Sequence, residues 1–203
     1  MMKRRAFAAV ISAFQFGKAS GTTVGVSLVS QDRYRKSKLV FYSSAAVTDP
    51  MKYPPGYLTN MSNNEINNLE DAVGLYNDMV RMRPLPCVAL FNLLLDRIVK
   101  MNHYSSAISV FKDMWFLGIP VDEYTLTILI NSYCLLERTD LGFCALGLFF
   151  KNGIVPTVAT FGTLLRGLFR QHMISQAQEM FIKIIQETLC ESNVVMIGTI
   201  ISG

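Results

Sequence analysis

Histidine is almost missing: His103 and His172 are the only two in 203 residues. The four cysteines, Cys87, Cys134, Cys144 and Cys190, form no CxxC pair, and none stands at zinc-ligand spacing from a histidine. A zinc centre and a disulfide framework are therefore not expected, and the thiols read as small buried or half-buried side chains. No glycine-rich phosphate loop, metal-ligand pair or nucleophile motif occurs either. The chain is thus expected to be no enzyme and to need no catalytic residues, metal or cofactor. Charge is scarce at 17%, whereas 51% of the residues are hydrophobic and mean hydropathy is +0.31, which excludes wholesale disorder. Long apolar runs are missing too. The densest, Leu141 to Phe150, stops at Lys151-Asn152-Gly153, about half of the roughly 20 residues a spanning helix needs. It reads as buried helix, and no membrane partner is expected.

Acid is nearly absent from residues 1–48, where eight bases face Asp32 alone for a net +7. The rest holds eleven bases and fourteen acids, a net −3. The basicity is confined to the leader, and the body lacks the electrostatic footprint of a tight phosphate binder. Met1 to Lys18 can form a basic helix with Phe7, Val10, Ile11 and Phe14 on one side. That is the composition of an organellar transit peptide, which predicts a mitochondrial address with the chloroplast as alternative. A secretory signal would need a cleaner apolar core directly after its basic start. The run Lys38-Leu39-Val40-Phe41-Tyr42-Ser43-Ser44-Ala45 resembles an organellar processing site. A basic tail that touches nucleic acid without selectivity is the other reading. Residues 49–67 read as a linker, with Tyr53-Pro54-Pro55-Gly56 barring a continuous helix.

A 35-residue repeat occupies what remains. Residues 88–122 and 123–157 align without gaps, and 158–193 follows with one extra residue. Each unit predicts two helices. The first carries an apolar stripe at i, i+3, i+4, i+7: Phe91, Leu94, Leu95, Ile98, then Leu126, Leu129, Ile130, Tyr133, then Phe161, Leu164, Leu165, Leu168. The second repeats a small residue before bulky ones: Ala107, Phe111, Met114, then Gly142, Leu146, Phe149, then Ala177, Phe181, Ile184. Gly118 and Gly153 should end the second helices as left-handed caps, with Pro120 and Pro156 beyond them. Thr188 replaces that glycine in the third unit. Upstream, Ala72, Tyr76 and Met79 repeat the second-helix pattern, so residues 68–87 should supply a lone N-terminal cap helix. Residues 194–203 open a fourth unit inside its first helix and read as a truncated repeat. The fold class expected is all-α, a right-handed α-α superhelix of helix-turn-helix units.

These units resemble the pentatricopeptide repeat family in its plain class, and more narrowly the plant fertility-restorer-like proteins. Residues 89–96 (ALFNLLLD), 125–134 (TLTILINSYC) and 160–168 (TFGTLLRGL) stand in register with the family's first helix. The competing tetratricopeptide pattern has a 34-residue period with a Trp near the start of each unit and a Gly followed by Tyr in the first helix, and none of the three first helices has that Trp or that Gly.

The resemblance implies single-stranded RNA as partner, with one base per unit read by side chains on the concave face. The family's readers are the fifth and last residues of a unit. They fall on Asn92 and Asp122, on Thr127 and Thr157, and on Gly162 and Asn193. Asn with Asp implies a pyrimidine, Thr in fifth place a purine, and Gly162 has no side chain with which to read. The second residue of a unit implies packing on a base face: Ala89, Tyr124, Ala159 and Val195. Lys100 and Arg170, near first-helix ends, imply phosphate contacts, though such bases also complement a helix dipole. The histidines receive no role. Three further expectations follow: work in processing, stability or translation of organellar transcripts; a protein-binding helical scaffold as alternative, or a short array with little activity of its own; and self-association through the open C-terminal unit.

Overall fold

The computed structural model describes residues 66–186. Outside them lie the expectations for the leader, most of the linker, Thr188, Cys190, Asn193, Val195 and the open fourth unit. The described residues form α1 (Leu69–Arg81), α2 (Val88–Lys100), α3 (Tyr104–Phe116), α4 (Glu123–Leu135), α5 (Thr139–Lys151), α6 (Val158–Arg170) and α7 (Ile174–Gln186), with no strand among them. Each helix has 13 residues, hence about 20 Å of length. First helices begin at 88, 123 and 158 and second helices at 104, 139 and 174, so both series advance by 35.

Local chemistry sets these boundaries. Asn68 caps α1 by accepting the Asp71 N–H at 2.8 Å, and Glu70 and Asp71 fill the acid-favouring first turn. Asp122 caps α4 by accepting the Thr125 N–H at 2.8 Å, while the Thr125 hydroxyl accepts the Asp122 N–H at 3.2 Å. Gly118 and Gly153 end α3 and α5 at φ of +69° and +70°, as the sequence leads one to expect. The first helices stop differently. Asn102, Glu137 and His172, again 35 apart, take positive φ of 64°, 59° and 56°. The next N–H then reaches back to close the turn, His103 to Ile98, Arg138 to Tyr133 and Met173 to Leu168.

α2, α4 and α6 pack side by side as one layer. Each second helix packs on its own first helix and, through α3–α4 and α5–α6, on the next unit. α3 therefore carries two apolar faces. Ala107, Val110 and Met114 join a cluster with α1 and α2, whereas Ile108 and Phe111 join the cluster around α4 and α6. α1 covers the open side of α2, with Tyr76 edge-on to Phe91 at 6.3 Å. The expected first-helix stripes are buried except for Tyr133, which is half-buried. Phe181 likewise stays half-buried. Cys134 is buried and Cys87 half-buried, but Cys144 is exposed, contrary to expectation.

The tightest approach in the array lies at a residue the repeat pattern did not mark. A Cβ on Gly167 of α6 would sit 2.5 Å from Cys134 Sγ, 2.9 Å from Cys134 Cβ and 2.9 Å from Thr139 Oγ1. Gly142, the small residue expected to permit close packing, is less constrained: its Cβ would meet Leu164 Cδ2 at 3.3 Å and Cys134 Sγ at 3.4 Å.

Candidate nucleic-acid interface

The junction between the first two units gathers Asn92 from α2 with Asp122 and Thr125 from the start of α4. Asn92 Nδ2 donates to both Asp122 carboxylate oxygens, at 3.0 and 3.1 Å. A carboxylate only accepts, so the amide nitrogen must face it and the amide carbonyl must face Thr125. The Thr125 hydroxyl shares its hydrogen between Asn92 Oδ1 at 2.6 Å and Asp122 Oδ1 at 2.8 Å. The structure thus brings Asn92 and Asp122 together, but the amide is not an open edge: Asn92 is only 4% exposed. Thr125 and Asp122 close over it.

Thirty-five residues on, the same positions hold Thr127, Thr157 and Thr160. Thr127 Oγ1 lies 3.0 Å from Thr160 Oγ1 and donates to the Glu123 carbonyl at 2.9 Å. A hydroxyl has one hydrogen, so in the contact between the two threonines Thr160 is the donor. Thr160 Oγ1 in turn accepts the Thr157 N–H at 3.4 Å. Thr157 does not bond to Thr127 directly. Its hydroxyl donates to Glu123 Oε1 at 2.6 Å. Thr127 and Thr157 are both half-buried.

Gly162 lies half-buried with nothing within 4 Å of where a Cβ would be, so its face of α6 opens into free space. Ala89 is half-buried, Ala159 exposed, and Tyr124 is 56% exposed at the first turn of α4. Lys100 is paired along α2 with Asp96 at 2.7 Å, and that hydrogen bond raises its pKa above the usual lysine value. Arg170 is exposed in the last turn of α6. Asn193 lies outside the described residues.

Three contributors escaped the sequence reading. Thr125 and Thr160 look like ordinary first-turn threonines, yet both link the reader positions of the preceding unit. Their spacing of 35 was the available signal. Glu123 gave none, because its partner Thr157 lies 34 residues away.

Among the described residues no helix is long and apolar enough to cross a membrane. A model of the PPR repeat family matches residues 86–135, and a PPR repeat model matches residues 159–189. A putative mitochondrial pentatricopeptide repeat-containing protein of Arabidopsis thaliana is 33% identical over 108 residues, 53% of this chain and 18% of that protein. Another mitochondrial pentatricopeptide repeat-containing protein of that plant is 46% identical over 66 residues, 32% of this chain and 11% of the relative. The chain spans less than a fifth of the length of these curated relatives. The crystal structure of the maize pentatricopeptide repeat protein PPR10 superposes with a TM-score of 0.54 at 19% identity, over 66% of this chain and 19% of that one. Nuclear proteinaceous RNase P 2 of A. thaliana superposes at 0.53 and 18%, over 71% and 33%. At such identity these two structures speak for the solenoid fold alone. With the family models on residues 86–135 and 159–189 and the helix pairs at their 35-residue spacing, the chain carries pentatricopeptide repeats.

Proposed function

We propose that this chain binds single-stranded RNA along its layer of first helices, one base per unit, as part of RNA metabolism in mitochondria. The observation that carries the reading is the Asn92–Asp122 pair, which meets at 3.0 Å where the family's reader positions of the first unit fall. An amide oriented by a carboxylate suits a pyrimidine at the first unit. Thr127 and Thr157 suit a purine at the second, and Gly162 leaves the third with little selectivity. Ala89, Tyr124 and Ala159 pack against base faces, with Tyr124 offering the largest exposed surface. Lys100 and Arg170 meet phosphates. Processing, stability or translation of transcripts is the role, exercised by binding rather than by catalysis. The mitochondrial address is supported by the +7 leader and by the mitochondrial relatives.

The net −3 outside the leader and the pairing of Lys100 with Asp96 favour a second reading, a scaffold that binds protein. Binding of the full chain to a randomised single-stranded RNA pool separates the two. Enrichment of a short motif supports RNA reading. A pool that emerges unenriched removes it. A fused reporter retained in the cytosol removes the mitochondrial address.

A further inference from the structure

Thr157 stands where a unit's last residue would meet the Watson–Crick edge of a base, and by itself a threonine hydroxyl both donates and accepts. Here its only hydrogen is committed. It points at Glu123 Oε1 across 2.6 Å, a short bond to a carboxylate and of the stronger, charge-assisted kind. The Thr127 hydrogen is committed as well, to the Glu123 backbone carbonyl, and Thr160 supplies the hydrogen between the two threonines. What remains on both hydroxyls is lone pairs. The second unit therefore presents two acceptors and no donor.

Resting on the RNA-binding reading above, we propose that Glu123 is a positioning residue that makes the second unit select guanine over adenine. Guanine alone among the four bases offers two adjacent donors on its Watson–Crick edge, N1–H and N2–H. Adenine offers the N6 amine beside the N1 lone pair, and that lone pair would face an oxygen that cannot donate. Uracil and cytosine each offer one donor beside acceptors. A free threonine hydroxyl at this place would turn its hydrogen towards adenine N1 and tolerate either purine. Glu123 removes that freedom, because serving adenine would mean breaking the bond to the carboxylate and leaving it short of a partner.

The test uses the full chain and oligoribonucleotides with one randomised trinucleotide in a uniform uracil context, with binding measured for each base at each place. The expected result is one position where guanine exceeds adenine by roughly fivefold or more, the scale of a modest base-edge discrimination. Glu123→Leu should bring the two purines level at that position. Glu123→Gln, whose amide oxygen still accepts from Thr157, should keep the preference while total affinity rises with the removal of a negative charge. Helical circular dichroism of each variant shows that it has folded. Equal purines in the parent chain, adenine preferred, or a preference untouched by Glu123→Leu overturns the proposal while any pyrimidine preference at the first unit stands. Absence of base preference at every position, with Asn92→Ala silent, overturns the RNA reading itself and this proposal with it.

Discussion

The Thr125 hydroxyl and the Asn92 amide carbonyl lie 2.6 Å apart although 33 residues separate them in sequence. Both belong to a buried cluster at a unit boundary, so their bond couples the stability of the array to the orientation of a candidate reader. Thr125→Val keeps the shape and removes the hydroxyl, which strands the Asn92 carbonyl. The expected loss is about 1–3 kcal/mol, read from the urea midpoint at unchanged slope. Thr125→Ser should recover most of it.

Gly167→Ala should be among the most damaging single changes in the array. Its methyl would sit 2.5 Å from Cys134 Sγ and 2.9 Å from Cys134 Cβ, so α4 and α6 must move apart. Overpacking of this kind costs about 1–3 kcal/mol. Cys134→Ala removes the sulfur but keeps the Cβ, so the double variant should recover only part. Gly142→Ala meets the flexible end of Leu164 at 3.3 Å, the same sulfur at 3.4 Å and Ile130 Cγ2 at an ordinary 3.7 Å. It should be close to neutral, because alanine gains about 0.5–1 kcal/mol over glycine inside a helix.

Burial pushes the Cys134 thiol from 9.0 up to about 11, with the Thr139 hydroxyl and the Arg166 and Arg170 charges opposing. The folded state thus holds a proton that the unfolded state releases first. Stability is full below about pH 8.5 and falls as pH rises towards 11. Tyr76, raised to about 12 mainly by burial, extends the decline. Thermal melts from pH 8 to 11 should show a falling Tm that Cys134→Ala makes shallower. Alkylation at pH 8 should label Cys144 in the native chain and reach Cys134 only after unfolding.

Replacing Lys100 and Arg170 together by alanine should weaken RNA binding across all sequences. The salt dependence should also flatten, by a slope of about 0.7 for each phosphate of a single strand that is no longer neutralised. Asp96→Asn should act oppositely, releasing Lys100 from its 2.7 Å partner. Binding isotherms at three salt concentrations check both.

Phe91, Leu94, Leu95 and Ile98 show why the fold was readable beforehand. A stripe at helical spacing, repeated every 35 residues, carries its own burial pattern, and these four side chains are 0–1% exposed. Gly118 and Gly153 announced their turns because glycine is the ordinary residue at positive φ. Asn102, Glu137 and His172 spread that conformation over three residue types, so no repeated letter announced it. Gly167 was hidden for another reason. Its register partners are Arg97 and Ser132, so the repeat keeps no constant small residue there, and the approach of Cys134 and Thr139 from neighbouring helices is what requires one. At the candidate site, family register pointed to Asn92 with Asp122, which meet, and to Thr127 with Thr157, which do not bond to each other directly. It did not indicate that Asn92 would be buried, which depends on Thr125 of the next unit, or that Glu123 would take the Thr157 hydrogen, which joins the first and last residues of one unit.

Asp122 ends one unit and caps the helix of the next. One side chain therefore answers to two demands, and the fold restricts what can be written at that letter. Asp, Asn, Ser and Thr start helices well, whereas an aliphatic residue there costs about 0.5–2 kcal/mol before any ligand arrives. The alphabet open to this position is small and polar for reasons of folding alone. An array built this way can change its preferences cheaply only by moving among helix-starting residues, or by changing a neighbour such as Glu123 that alters what the same letter means.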